Sequence, residues 1–214
     1  MKANFNEKIS RSKFDLHFIE EKFIKSPLKK LMQTQFEMRI FKLLLRTKGI
    51  NILGLRILEV GCGAGYGFES IMKEFRPKEY QGFDINPQMV ALTKAKARKY
   101  KGEIKVFLGD IRYNNLPSSR FDVVFAFTIF HHIIEWREAL KEVNRLLKPK
   151  GLFLVNEINN RSLNWFQRFL KVYHPFEARF TWKNFQKGLN NSGFKLFQDF
   201  YFLEDFGFFL CIKI

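Results

Sequence analysis

Apolar and polar positions along the chain fall into two alternating rhythms. Short apolar runs near 56–60, 79–84, 104–108, 121–127 and 151–157 have the length of strands, and the stretches between them carry helical spacing. The run FDVVFAF, 121–127, is apolar almost throughout, as expected of a strand covered on both faces. Trp136, Ala139, Leu140, Val143, Leu146 and Leu147 form a stripe on one helix, and Asn86-Pro87 starts another with a cap and a proline in its first turn. Strands alternating with helices predict an α/β domain with a mostly parallel sheet and helices on both faces.

The two ends of the chain follow other patterns. Ser26-Pro27 followed by Leu28, Leu31, Met32, Phe36, Ile40, Leu43 and Leu44 predicts one helix that Gly49 ends. After residue 158, helices are expected over 162–172 and 181–191, the second begun by Thr181. Strands over 194–202 and 206–214 close the chain, antiparallel through the turn Glu204-Asp205-Phe206-Gly207.

Composition narrows the partners. The 214 residues carry a formal charge of +16, which favours an anionic partner: nucleic acid, an acidic lipid surface or a charged small molecule. Phe occurs 27 times, enough to fill a core and to suggest an apolar ligand. Two cysteines, Cys62 and Cys211, argue against a disulfide framework and a thiolate zinc site, and suit a reducing cytoplasm. The N-terminus lacks an apolar signal core and no run approaches ~18 apolar residues, so neither a signal peptide nor a membrane span is expected.

The candidate chemistry centres on LEVGCGAGYG, residues 58–67, a glycine-rich turn between a strand and a helix. Such a turn lets a ligand approach the backbone without meeting a Cβ atom and aims helix-start N–H groups at an anion. The dinucleotide fingerprint G-x-G-x-x-G/A fails here: counted from Gly61 its third small residue falls on Tyr66, and from Gly63 on Phe68. A nicotinamide-binding oxidoreductase is therefore disfavoured.

The spacing G-x-G-x-G preceded by Glu59 resembles the class I methyltransferases that use S-adenosylmethionine. The likeness extends to GFDI with Asp84, FLGDI with Asp110, the fourth strand with FTIFHHI, and EALKEVNRLLKPKG. It covers roughly residues 40–214. One departure is Lys150, where the family usually has glycine. The resemblance implies a Rossmann-like, seven-stranded, mostly parallel sheet whose last strand is antiparallel. It also implies an N-terminal helical segment over 1–50, the donor-binding domain over 51–214, and a substrate lid over 159–193. Carried over, Gly61, Cys62, Gly63 and Gly65 would wrap the methionyl part of S-adenosylmethionine, and Glu59 would balance its ammonium. Asp84 would hold the ribose and Ile85 pack on adenine. Asp110 would take the adenine amino group with Ile111 beside the ring, and Phe127 and Thr128 would face the methionyl end and the acceptor. His131 and His132 are the candidate catalytic residues, His132 foremost; either could take a proton from the acceptor. The product would be S-adenosylhomocysteine, with no metal required.

The acceptor is narrowed by exclusion. No N/D-P-P-aromatic run follows the fourth strand, and neither cysteine follows a proline, which disfavours exocyclic-amine and cytosine-carbon methylation of nucleic acid. From Asn159 to Lys195, seven Lys/Arg face one acid, Glu177, with nine aromatics interleaved. A basic amphipathic helix with Trp165 and Phe166 suits an anionic membrane surface, and the same composition can stack bases. The expectation is methyl transfer to a small-molecule or lipid-like acceptor, with an RNA methyltransferase or a non-catalytic donor-binding partner protein as alternatives.

Overall fold

The computed structural model describes residues 25–31, 36–170 and 175–214. Seven strands form one sheet: β1 (Arg56–Val60), β2 (Glu79–Asp84), β3 (Glu103–Leu108), β4 (Phe121–Phe127), β5 (Leu147–Ile158), β6 (Phe194–Phe202) and β7 (Phe206–Lys213). Their order is β3-β2-β1-β4-β5-β7-β6. β1 to β5 pair in parallel, and β7 runs antiparallel to both β5 and β6. Among the described residues the helices are α1 (Pro27–Leu31), α2 (Met38–Thr47), α3 (Tyr66–Phe75), α4 (Pro87–Ala97), α5 (Trp136–Leu146), α6 (Asn160–Leu170) and α7 (Trp182–Asn191).

Strand residues alternate between two cores, one on each face of the sheet. Leu58, Val60, Val124, Ala126, Phe153, Val155 and Phe209 pack with α5 and α7. Ile57, Val123, Phe125, Phe127, Leu154, Phe208 and Leu210 pack with α2 and α3. This two-sided burial explains why the central strands read as nearly unbroken apolar runs. The expected α/β sheet, its order of elements and the antiparallel last strand all stand in the structure.

The caps follow the sequence. Asn86 accepts from the Gln88 N–H and is followed by Pro87 in the first turn of α4, and Thr181 accepts from the Asn184 N–H to start α7. β5 begins four residues earlier than expected, because LKPKG pairs with the start of β4 through a register shift between Phe121 and Val123. Lys150 in that stretch has φ 61°, the left-handed conformation that glycine adopts more cheaply.

α1 and α2 lie on either side of residues 32–35, which are outside the described residues, and Leu28, Leu31 and Leu43 are exposed at 57%, 58% and 56%. The face of α2 that meets the sheet is Met38, Ile40, Phe41, Leu44 and Leu45. Leu43 lies about 100° around the helix from Leu44, so the expected stripe merged two faces. Residues 1–24 and Met32 lie outside the described residues. Among the described residues no helix is long and apolar enough to cross a membrane.

Candidate active site

The chain leaves β1 for β2 and β3 on one side and returns to β4 on the other. The order therefore reverses at β1, and the crevice beyond the carboxyl ends of β1 and β4 is where such sheets bind ligands. The glycine loop fills one wall. Gly61, Gly63 and Gly65 all have positive φ, of 71°, 50° and 79°. A Cβ on Gly61 would lie 2.6 Å from Ile129 Cγ2, and one on Gly65 would lie 3.1 Å from the Thr93 backbone. The loop is held by Gly61 and Cys62 N–H groups donating to the Phe83 carbonyl, both at 2.9 Å, and by Thr93 Oγ1 donating to the Gly63 carbonyl at 2.8 Å. The Cys62 thiol is buried, and burial pushes its pKa up.

Two carboxyls stand against this loop. Asp84, at the tip of β2, accepts from the Gly63 N–H at 2.8 Å and from the Asn86 N–H at 2.9 Å, and burial raises its pKa. Glu59 is fully buried in β1. Its Oε2 accepts from the Tyr80 hydroxyl at 2.5 Å, while its Oε1 has no hydrogen-bond partner. Desolvation lifts its pKa to about 8. Ile85 is half-buried beside Asp84.

The tip of β3 carries an ion pair. Asp110 is 5% exposed and is gripped by Arg112, whose backbone N–H, Nε and Nη2 donate at 2.9, 3.0 and 2.6 Å. Arg112 Nη1 continues to Glu135 at 2.6 Å, just before α5. Ile111 is buried in the core. An adenine amino group would thus share Asp110 with a cation already in place.

Beyond β4 the backbone turns sharply. Phe127 packs its ring against Phe41 and Phe125, so at the tip it offers backbone and not an aromatic face. Thr128 has φ 52° and donates its N–H to the Asn156 carbonyl at 2.9 Å. A short 3-10 turn, Phe130–His132, follows. His131 is buried, with Nδ1 2.7 Å from Glu157 Oε2, and its ring centre lies 4.0 Å from that of the half-buried His132.

Glu157 is the residue that sequence reasoning missed. It is fully buried at the end of β5, and its Oε1 accepts from the Ile129 and Phe130 N–H groups at 2.7 and 2.6 Å. Desolvation raises its pKa to about 7. The signal was an acid ending an otherwise apolar strand, at the same edge as Asp84. By holding the 129–131 turn, Glu157 also sets Ile129 over Gly61, so the two walls of the crevice fix one another. Asp122, at the opposite edge of the sheet, ties the Arg56 N–H and Lys148 and takes no part in the crevice. Among the described residues no cluster of His, Cys, Asp and Glu could hold a metal ion.

Comparison with known proteins agrees with this geometry. Residues 58–155, from β1 to β5, match the family described as a methyltransferase domain. The chain is 32% identical over 111 residues to the fatty-acid O-methyltransferase of Mycolicibacterium smegmatis, covering 52% of this chain and 40% of that one. It is 30% identical over 123 residues to the ubiquinone biosynthesis O-methyltransferase of Bradyrhizobium diazoefficiens, covering 55% and 45%. The chain thus spans less than half the length of these curated relatives. The crystal structure of a SAM dependent methyltransferase from Aquifex aeolicus has the same fold, with a TM-score of 0.71 at 18% identity over 92% of this chain and 98% of that one. A glycine loop walled by Glu59, Asp84 and the β4 turn, on a sheet of this order, thus lies in the stretch that is similar to a methyltransferase domain.

Proposed function

We propose that this protein transfers a methyl group from S-adenosylmethionine to an oxygen of a lipid-like small molecule. The observation that carries the donor half is Glu59 Oε1, a buried carboxyl oxygen without a partner beside three glycines in left-handed backbone. An unpaired buried carboxyl is costly, and a cationic ligand group relieves it. The residues therefore fit a ligand with an ammonium: Glu59 would hold that group, the glycine loop would follow the chain beside it, and Asp84 would take the ribose hydroxyls. Asp110 would hold the adenine amino group while keeping its bond to Arg112. Once bound, the sulfonium supplies an electrophilic methyl, so the protein's main task is to align the acceptor and exclude water.

The acceptor half rests on the β4 turn. With Glu157 ionised, its Oε2 accepts from His131 Nδ1–H, which fixes that imidazole against its neighbour. His132, half-buried beside it, is the proton acceptor for a hydroxyl that must lose its proton on methylation. His131 and Glu157 hold it in place. The relatives named as a fatty-acid O-methyltransferase and a ubiquinone biosynthesis O-methyltransferase favour an apolar acceptor, as do the aromatics after β5.

Incubating the protein with methyl-labelled donor and either a lipid extract or total RNA tests the proposal. Label in the lipid fraction is expected; label in RNA alone would overturn the acceptor class. With an acceptor in hand, His132→Ala should lower kcat by about 10²-fold or more while leaving donor affinity unchanged. Activity should also fall as pH drops through about 7, where Glu157 takes up a proton and no longer accepts from His131.

A further inference from the structure

Asn156 is 1% exposed near the end of β5, and both its Nδ2 and its Oδ1 lack hydrogen-bond partners. Buried side-chain amides are nearly always satisfied, and leaving one idle is costly. The residue sits beside the crevice: it pairs with Phe127 of β4, and its carbonyl accepts from the Thr128 N–H. Its side chain points to the α2 face of the sheet, opposite to that of Glu157, because successive strand residues alternate.

On that same face Asn156 is opposite Phe208, and Phe206 is one diagonal step along the ladder. That step is roughly 7–8 Å. Phe206 and Trp165 form the aromatic wall of a half-open cleft of about 420 Å³ beside the sheet edge, completed among the described residues by Arg161, Ser162 and Asp205. Its mostly apolar lining has a paired charge at one side, since Arg161 Nε and Nη2 donate to Asp205 at 2.9 and 3.2 Å. Trp165 is 52% exposed, a large apolar surface for a side chain at a cleft. The neighbouring β6–β7 turn displays Leu203, 70% exposed with φ 51°, and Arg161 donates to its carbonyl at 3.4 Å.

We propose that Asn156 and this cleft form one amphiphile subsite: the amide holds the acceptor's hydroxyl head, and the Trp165–Phe206 cleft takes its alkyl tail. A hydroxyl both donates and accepts, which matches the two idle atoms of the amide. The cleft volume lies within the range of small-molecule sites. This inference rests on the reading of the acceptor as lipid-like and names the groups that would recognise it.

A long-chain alcohol brominated along its tail is a direct probe, because bromine quenches tryptophan emission on contact. Binding to the full chain should quench emission, and Trp165→Phe should remove most of the quenched component. Affinity should climb about four-fold per added methylene once the tail is long enough to reach the cleft. Asn156→Leu should weaken binding about ten-fold or more without lowering the unfolding midpoint, because it removes an unsatisfied amide. Loss of stability with unchanged probe affinity would show a structural amide and overturn the head assignment. Quenching that survives Trp165→Phe, or affinity indifferent to chain length, would overturn the tail assignment. Donor titration on the same samples separates the two ideas: probe binding without donor binding leaves this subsite standing and removes the methyl-transfer reading.

Discussion

Glu59 holds a proton in a place where an ionised carboxylate would be useful. Its pKa of about 8 follows from burial first, opposed by the Tyr80 hydrogen bond and raised further by Asp84, with Lys96 pulling the other way. An ammonium against Oε1 favours the ionised form and lowers that pKa. Donor binding near pH 7 should therefore release a proton, and donor affinity should strengthen as pH rises toward 8. Calorimetry in buffers of different ionisation enthalpy should find a release approaching one proton in the native protein and none in Glu59→Gln. The same residue affects stability in the opposite sense. The folded chain binds this proton between the ordinary carboxylate range and about pH 8, whereas the unfolded chain does not, so this group's contribution to stability falls as pH rises through that window. Urea midpoints across it should fall less steeply in Glu59→Gln. Such pairings were only partly legible beforehand. The acid at position 59 was visible, but its idle oxygen and its Tyr80 partner come from neighbouring strands. Glu157 was passed over because its meaning depends on a turn 26 to 28 residues away in sequence.

Elements met across the crevice explain why its shape is shared between distant segments. Gly61 leaves β1 directly beneath Ile129 of the β4 turn, with no room between them for a Cβ. Gly61→Ala should cost about 1–3 kcal/mol in unfolding free energy and weaken donor binding. Ile129→Ala should return much of that loss, and a double-mutant cycle reads the coupling. On β5, Lys150 carries the left-handed backbone of a glycine, so Lys150→Gly should raise stability by about 1 kcal/mol with activity unaltered. That strain was foreseeable from LKPKG alone, as were the strands, because parallel strands buried on both faces write themselves as apolar runs. The face of α2 was not foreseeable in the same way. Leu43 and Leu44 are equally apolar, and only the sheet decides which one is covered.

As a whole molecule, the protein is a sheet whose carboxyl edge gathers the candidate site: Asp84, the glycine loop, His131, His132 and Glu157 all lie there, while the opposite edge is tied by ion pairs such as Asp122 with Lys148. The formal charge is +16, and the recognition proposed here is local: an ammonium at Glu59, a ribose at Asp84, an apolar acceptor across β4 and β5. The most direct measurement is a calorimetric titration of S-adenosylmethionine into the purified chain and into Asp84→Ala. One donor should bind per chain, and Asp84→Ala should weaken it about 10- to 100-fold, the worth of charge-assisted hydrogen bonds, with the unfolding transition still cooperative. No binding to the native chain, or equal affinity in the variant, would contradict the account.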